Sequence, residues 1–366
     1  MGFLLDKKQF SATYRILLML FVIHLSISTI EAARKLQKNG TFPALIAFGD
    51  SILDTGNNNN LNSVTKCDFP PYGKDFIGGK PTGRFCNGKI LTDLIAEGLG
   101  IKEIVPAYLD PNLQSKDLPT GVCFASGGSG LDPLTSSIQS VVSASDQLNN
   151  FKDYLGKLKR VVGEEKANNI ISNSVFLLSF GNNDIAITYF NTPSRSFQYT
   201  VASYSSQLAD WTSTFIKDLY GLGVKKVAVL GTLPLGCLPV LRTIQEGPLR
   251  VCGDNANEAA QLFNSKLSSR VKSLSSSLPQ AKIVYVDVYN PLLDIIKNPA
   301  RSGFNVLDNG CCGVGAIEAG PLCNQFVTST CANVSQYVFW DSAHPSERAY
   351  RILASPIWQN LKSNLS

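Results

Sequence analysis

Five short runs of nearly continuous apolar residues punctuate the chain, at positions 44–48, 121–125, 175–180, 226–230 and 283–288. Each is rich in β-branched or aromatic side chains, and several are followed by Gly, Asp or Asn. Longer stretches with helical spacing separate them, among them residues 90–99, 202–220 and 255–274. Apolar strands alternating with amphipathic helices predict a parallel sheet covered on both faces. Pro345 opens a last amphipathic stretch over 346–361, in the position a helix favours for proline. No internal repeat or low-complexity linker divides the chain, so one α/β domain is predicted over 34–366. In open parallel sheets ligands bind beyond the carboxyl ends of the strands. The polar residues just after each run are therefore the candidates for chemistry.

The first residues have a different pattern. Lys7, Lys8 and Arg15 precede an apolar stretch that begins at Ile16, and the small residues Ser26, Ser28, Ala32 and Ala33 follow. This predicts a signal peptide over 1–33, cut near Ala32 or Ala33. His24 and nearby hydroxyl residues interrupt the run, which is short for a transmembrane anchor. Cleavage would leave His344 as the only histidine, since the full chain has two.

Composition narrows the classes. With 366 residues, 44% hydrophobic and 17% charged, the chain can bury a full core, and widespread disorder is not expected. The formal net charge of +5 comes without a dense Lys/Arg run, which argues against nucleic-acid binding. Nine cysteines fit an oxidising compartment. Cys311, Cys312, Cys323 and Cys331 are crowded together, and Cys237 and Cys252 are close. An odd count leaves one over, and Cys123, in an apolar run, is the expected buried free thiol. A zinc site is disfavoured, because adjacent Cys311-Cys312 lacks metal-ligand spacing and no histidine is near. Asn39, Asn333 and Asn364 head N-x-Ser/Thr sequons and are candidate glycan sites on a secreted chain.

Four segments after the runs or near the C-terminus carry candidate chemistry. Phe48-Gly49-Asp50-Ser51 places a serine at a strand tip, where its Oγ can attack and its N–H can face an oxyanion. Ala125-Ser126-Gly127-Gly128-Ser129-Gly130 can bring backbone N–H groups close to a substrate. Gly181-Asn182-Asn183-Asp184 offers an uncharged amide donor, of a kind worth a few kcal/mol in a transition state. In Asp341-Ser342-Ala343-His344 the carboxylate can reach back to the imidazole Nδ1–H, leaving Nε2 to take a proton from serine. Each segment alone reads equally well as a turn or a helix start. Their joint occurrence points to nucleophilic acyl chemistry.

Other readings fare worse. Asp54-Thr55-Gly56 is an aspartic-protease triplet, but that chemistry needs a second such carboxylate, and none is present. The G-x-S-x-G elbow of α/β-hydrolases is absent. Two alternatives stay open: an acyltransferase using the same residues, and a silent binding protein on the same scaffold.

These segments resemble the plant GDSL esterase/lipases of the SGNH hydrolase superfamily, closest to the extracellular-lipase branch. The resemblance spans residues 48–58, where Ile52 stands for the leucine of the family name, then 125–130, 181–184 and 341–344. Residues 81–88 and 233–237 are also typical of the plant group. The resemblance implies a flavodoxin-like three-layer α/β/α sandwich around a five-stranded parallel sheet, with no metal or organic cofactor. It implies Ser51 as nucleophile, with His344 and Asp341 completing the triad. The oxyanion hole would be the Ser51 N–H, Asn183 and a glycine, Gly130 with Gly128 in reserve. A secreted esterase or lipase of the apoplast or cell wall follows. Its substrate would be a lipid, cutin-like, phenolic or acetylated-polysaccharide ester.

Overall fold

A computed structural model of the chain describes Met19, residues 41–326 and residues 329–366. Apart from Met19, the predicted signal segment lies outside the described residues, as does Asn39. Four parallel strands form the main sheet in the order β1 (Leu45–Gly49), β2 (Val175–Ser179), β3 (Lys226–Leu230) and β4 (Lys282–Val286). All five residues of β1 and of β2 are buried, as near-continuous apolar strands demand of a sheet covered on both faces.

The remaining run, residues 121–125, is not a regular strand, although it occupies an edge position beside β1. The Ala47 N–H donates to Val122 O, and the Phe124 and Ser126 N–H groups donate to Ala47 O and Gly49 O. Its other side is bonded to Pro106 and Tyr108, so its ladder groups are satisfied without a long strand. In chain order the sheet positions then run 2-1-3-4-5, the flavodoxin-like order. Its switch point lies between β1 and β2.

Helices α1 (Leu91–Gly98), α2 (Ala144–Val162), α3 (Val201–Gly221), α4 (Pro239–Glu246), α5 (Asp254–Ser277) and α6 (Glu347–Leu365) surround the sheet. α1 packs with α6, which crosses β3 and β4. α3 packs with α5, which lies on β4, while α2 touches β1. Two helix pairs that each meet the sheet, with a core of buried aliphatic and aromatic side chains between layers, make the three-layer α/β/α sandwich.

A small second sheet was not anticipated. It pairs β5 (Val306–Gly310) with β6 (Tyr337–Phe339) in parallel. The cysteine-rich segment is the connection between these strands. Cys311–Cys331 and Cys312–Cys323 close it, and Cys237–Cys252 closes the loop around α4. Cys123 is buried and free as expected, but Cys67 and Cys86 are free and buried as well. Three thiols, not one, stay unpaired, because the crowded cysteines pair among themselves and the remaining three are each packed in the core.

Buried carboxylates fasten the loops at the strand tips. Asp54 accepts N–H bonds from Gly56, Asn57 and Gly127 at 2.8 Å each, tying the loop after β1 to the glycine-rich loop. Asp184 accepts from the Leu131 and Asp132 N–H groups and from the Thr135 hydroxyl, tying that loop to β2. Burial pushes both carboxyls up to about 6, against the pull of these donors. A folded-state pKa raised above its unfolded value contributes stability that is complete below the unfolded value and lost as pH rises through the folded one. The stability of wild type relative to Asp54→Asn is therefore expected to fall as pH rises from about 4 to about 6. Denaturant titrations of both proteins across that range check this; a constant difference would contradict it.

Candidate active site

The site begins where β1 and β2 end. Gly49 has φ +143°, and a Cβ there would lie 2.1 Å from Ser179 O, so only glycine lets the two strand tips run this close. The Gln147 side chain on α2 grips the Gly49 peptide from the side. Its Oε1 accepts the Gly49 N–H at 2.8 Å and its amide donates to Gly49 O at 2.9 Å. Asp50 follows, fully buried. Its Oδ1 accepts the Ile52 N–H and its Oδ2 accepts from Asn182 Nδ2 at 2.9 Å. Burial pushes the Asp50 carboxyl up to about 7, opposed by those two donors and by His344.

Ser51 is thereby held on a turn with both flanks fixed. It is only 8% exposed, and its Oγ lies 2.8 Å from His344 Nε2. The other imidazole nitrogen, Nδ1, lies 2.8 Å from Asp341 Oδ1 and 2.9 Å from Oδ2. Serine and histidine are 293 positions apart in the chain. β6 brings them together: it ends two residues before Asp341, and the Trp340 N–H donates to His344 O across the turn. The Phe85 ring packs against the imidazole with centroids 5.0 Å apart.

Asp341 has no solvent exposure. A buried carboxylate needs hydrogen-bond donors, and four converge on it. The Ala343 and His344 N–H groups donate to Oδ1, the imidazole reaches both oxygens, and the Tyr72 hydroxyl donates to Oδ2 at 2.6 Å. The Tyr72 oxygen in turn accepts the Gly320 N–H, which belongs to the disulfide-bonded connection. Sequence reading missed Tyr72. It stands 269 residues from Asp341, and no local pattern in the sequence marks it.

The expected donor residues have distinct placements. Among the described residues the Ser51 N–H donates to no protein acceptor. One Asn183 amide hydrogen goes to Ser129 O at 2.9 Å, which orients the side chain and leaves its second hydrogen free. Asn182 is committed, donating to Asp50 and accepting the Leu233 N–H. The Gly130 N–H faces Ser136 Oγ at 3.4 Å, and a Cβ at Gly130 would strike the Asp184 carboxylate at 2.2 Å. A glycine is needed there for Asp184 to dock, whatever else it does. A cavity of about 250 Å³ opens beside Ser51, Asn183 and His344; neither Gly128 nor Gly130 lines it.

Asp54, Thr55 and Gly56 serve the loop after β1, as Asp54's three N–H bonds indicate. Among the described residues no cluster of three or more His, Cys, Asp or Glu side chains is arranged to hold a metal ion.

The family described as GDSL-like Lipase/Acylhydrolase matches residues 45–357. GDSL esterase/lipase EXL3 of Arabidopsis thaliana is 55% identical over 327 residues, which cover 89% of each chain. GDSL esterase/lipase At5g63170 of the same plant is 52% identical over 343 residues, covering 93% of this chain and 96% of the relative. The match takes in the strand tips, the glycine-rich loop and the Asp341–His344 turn alike, so the chain belongs to the GDSL lipase/acylhydrolase family and is a carboxylic ester hydrolase.

Proposed function

We propose that this protein is a secreted serine esterase or lipase that works through an acyl-enzyme on Ser51. One observation carries the reading: the unbroken hydrogen-bonded series from Ser51 Oγ through His344 to Asp341. As Oγ attacks an ester carbonyl, Nε2 takes its proton, and Asp341 holds the ring and stabilises the imidazolium. The carbonyl oxygen gains charge facing the Ser51 N–H and the free hydrogen of Asn183. The Gly130 N–H is the proposed third donor, and it would have to give up its long contact with Ser136 to serve. His344 then protonates the departing alcohol. In the second half it deprotonates water, which releases the acid and restores Ser51.

Secretion is part of the proposal. The basic and apolar start of the chain is read as a signal peptide over 1–33, ahead of a single catalytic domain over 34–366. The three disulfides fit an oxidising exterior. No helix among the described residues is long and apolar enough to cross a membrane. Asn333 and Asn364 are exposed and would accept glycans there, with Asn39 as a third site.

Three outcomes are expected. Ser51→Ala lowers ester turnover roughly ten-thousandfold or more, with an unchanged circular-dichroism spectrum; appreciable residual activity would identify another nucleophile. Tyr72→Phe keeps the ring among Phe69, Phe85 and Trp340 but removes one donor from Asp341. A hydrogen bond to a charged group contributes about 1.5–3 kcal/mol, so kcat is expected to drop about tenfold or more; full activity would mean that Tyr72 does not support the carboxylate. Protein collected from the medium of expressing plant cells should begin near Arg34 and lose mass on treatment with an N-glycosidase. Retention of residues 1–33 would refute the signal-peptide assignment.

A further inference from the structure

Most of the wall of the cavity beside Ser51 is aliphatic. Ala186 and Ile187 come from the π-helical turn after β2, Leu233 and Leu235 from the loop after β3, and Leu238 and Leu241 from the start of α4. Apart from His344, neither a charged nor an aromatic side chain lines it. Its polar members, Asn182, Asn183, Asn191 and Ser342, are uncharged, so no fixed cation is there to pair with a phosphate or a carboxylate, and no ring is available to stack on a phenolic acyl group. Its lining includes Leu233, Leu235 and Leu241, each at most 2% exposed.

An aliphatic pocket beside the nucleophile suits one half of an ester. The alcohol must leave before water attacks, whereas the acyl group stays bonded to Ser51 through both steps. The walls are also held in place. Cys237–Cys252 ties the chain two residues before α4 to the chain beyond it. Arg242 donates to Cys237 O and Arg250 O, and the Thr243 hydroxyl donates to Ala316 O on the disulfide-bonded connection. The Leu233 N–H is pinned by Asn182. Walls fixed at this many points set a capacity instead of adapting to any chain.

Resting on the esterase reading above, we propose that this cavity is an acyl-chain pocket selecting unbranched aliphatic acyl groups of about six to eight carbons, since each carbon group needs about as much room as a water molecule, roughly 30 Å³. Acetyl leaves most of the pocket empty. Palmitoyl overruns it. Aromatic acyl groups find no stacking partner.

The test is kcat/KM of the purified secreted protein on p-nitrophenyl acetate, butyrate, hexanoate, octanoate and palmitate, with a feruloyl ester alongside. Each accommodated methylene should raise kcat/KM by up to about fourfold. The expected profile rises at least tenfold from acetate to hexanoate or octanoate and falls again at palmitate. Ala186→Phe, which fills the pocket, should cut the octanoate-to-acetate ratio at least tenfold. Ile187→Ala, which enlarges it, should move the maximum to a longer chain. A profile that peaks at acetate or at the feruloyl ester overturns the pocket assignment, and so does an Ala186→Phe ratio equal to wild type. Labelling of Ser51 by a fluorophosphonate separates the two levels. A labelled enzyme without chain preference sinks this proposal alone, whereas a folded protein that neither labels nor turns over any ester sinks the esterase reading with it.

Discussion

The buried carboxylate of Asp341 joins separate parts of this molecule at one point. An unpaired charge in a protein interior is costly, and breaking a buried charged contact typically costs several kcal/mol. Here two backbone N–H groups, the His344 imidazole and the Tyr72 hydroxyl all point at it. They reach it from separate parts of the chain. Tyr72 comes from the long loop after β1, and the backbone donors belong to the turn after β6. Tyr72 is itself braced by Gly320 in the segment that Cys311–Cys331 and Cys312–Cys323 close. The imidazole orientation, the loop carrying Tyr72 and the disulfide-bonded connection are thus satisfied together or not at all.

A second seam, between the tips of β1 and β2, supplies the other half. Gly49 lets the strands touch, Gln147 clamps its peptide, and the Asp50–Asn182 bond joins the residue before Ser51 to the residue before Asn183. This is the switch point of the sheet, where backbone groups diverge and a crevice forms. Asn182 also receives the Leu233 N–H, so the turn that carries Ser51 and the aliphatic pocket share one support. On the proposed reading, chemistry and acyl recognition are coupled through a single amide.

What could be read from the sequence depended on whether the signal was local. The apolar runs that became β1 to β4 carry their own period and composition, and Ser51, Asn183, Asp341 and His344 all stand next to such runs or to a helix start. The edge run 121–125 was harder, because its pairing partners near Pro106 and Tyr108 have no strand pattern. β5 and β6 were invisible because β5 has only two apolar residues before Asp308-Asn309-Gly310 and β6 has only three residues in all. Tyr72 and Gln147 act across long chain separations, where spacing says nothing. The cysteine count suggested one free thiol, but it could not tell that Cys67 and Cys86 would be packed in the interior with Cys123.

Trapping the covalent intermediate asks most directly whether Ser51 carries the acyl group. The wild-type protein is mixed with p-nitrophenyl octanoate, quenched in acid within the first turnovers, digested and mapped by mass spectrometry. An octanoyl mass increment on the peptide containing Ser51, absent when Ser51 is replaced by alanine, is the predicted result. An acyl adduct on a different residue, or ester turnover with no adduct at Ser51 under conditions where deacylation limits the rate, would contradict it.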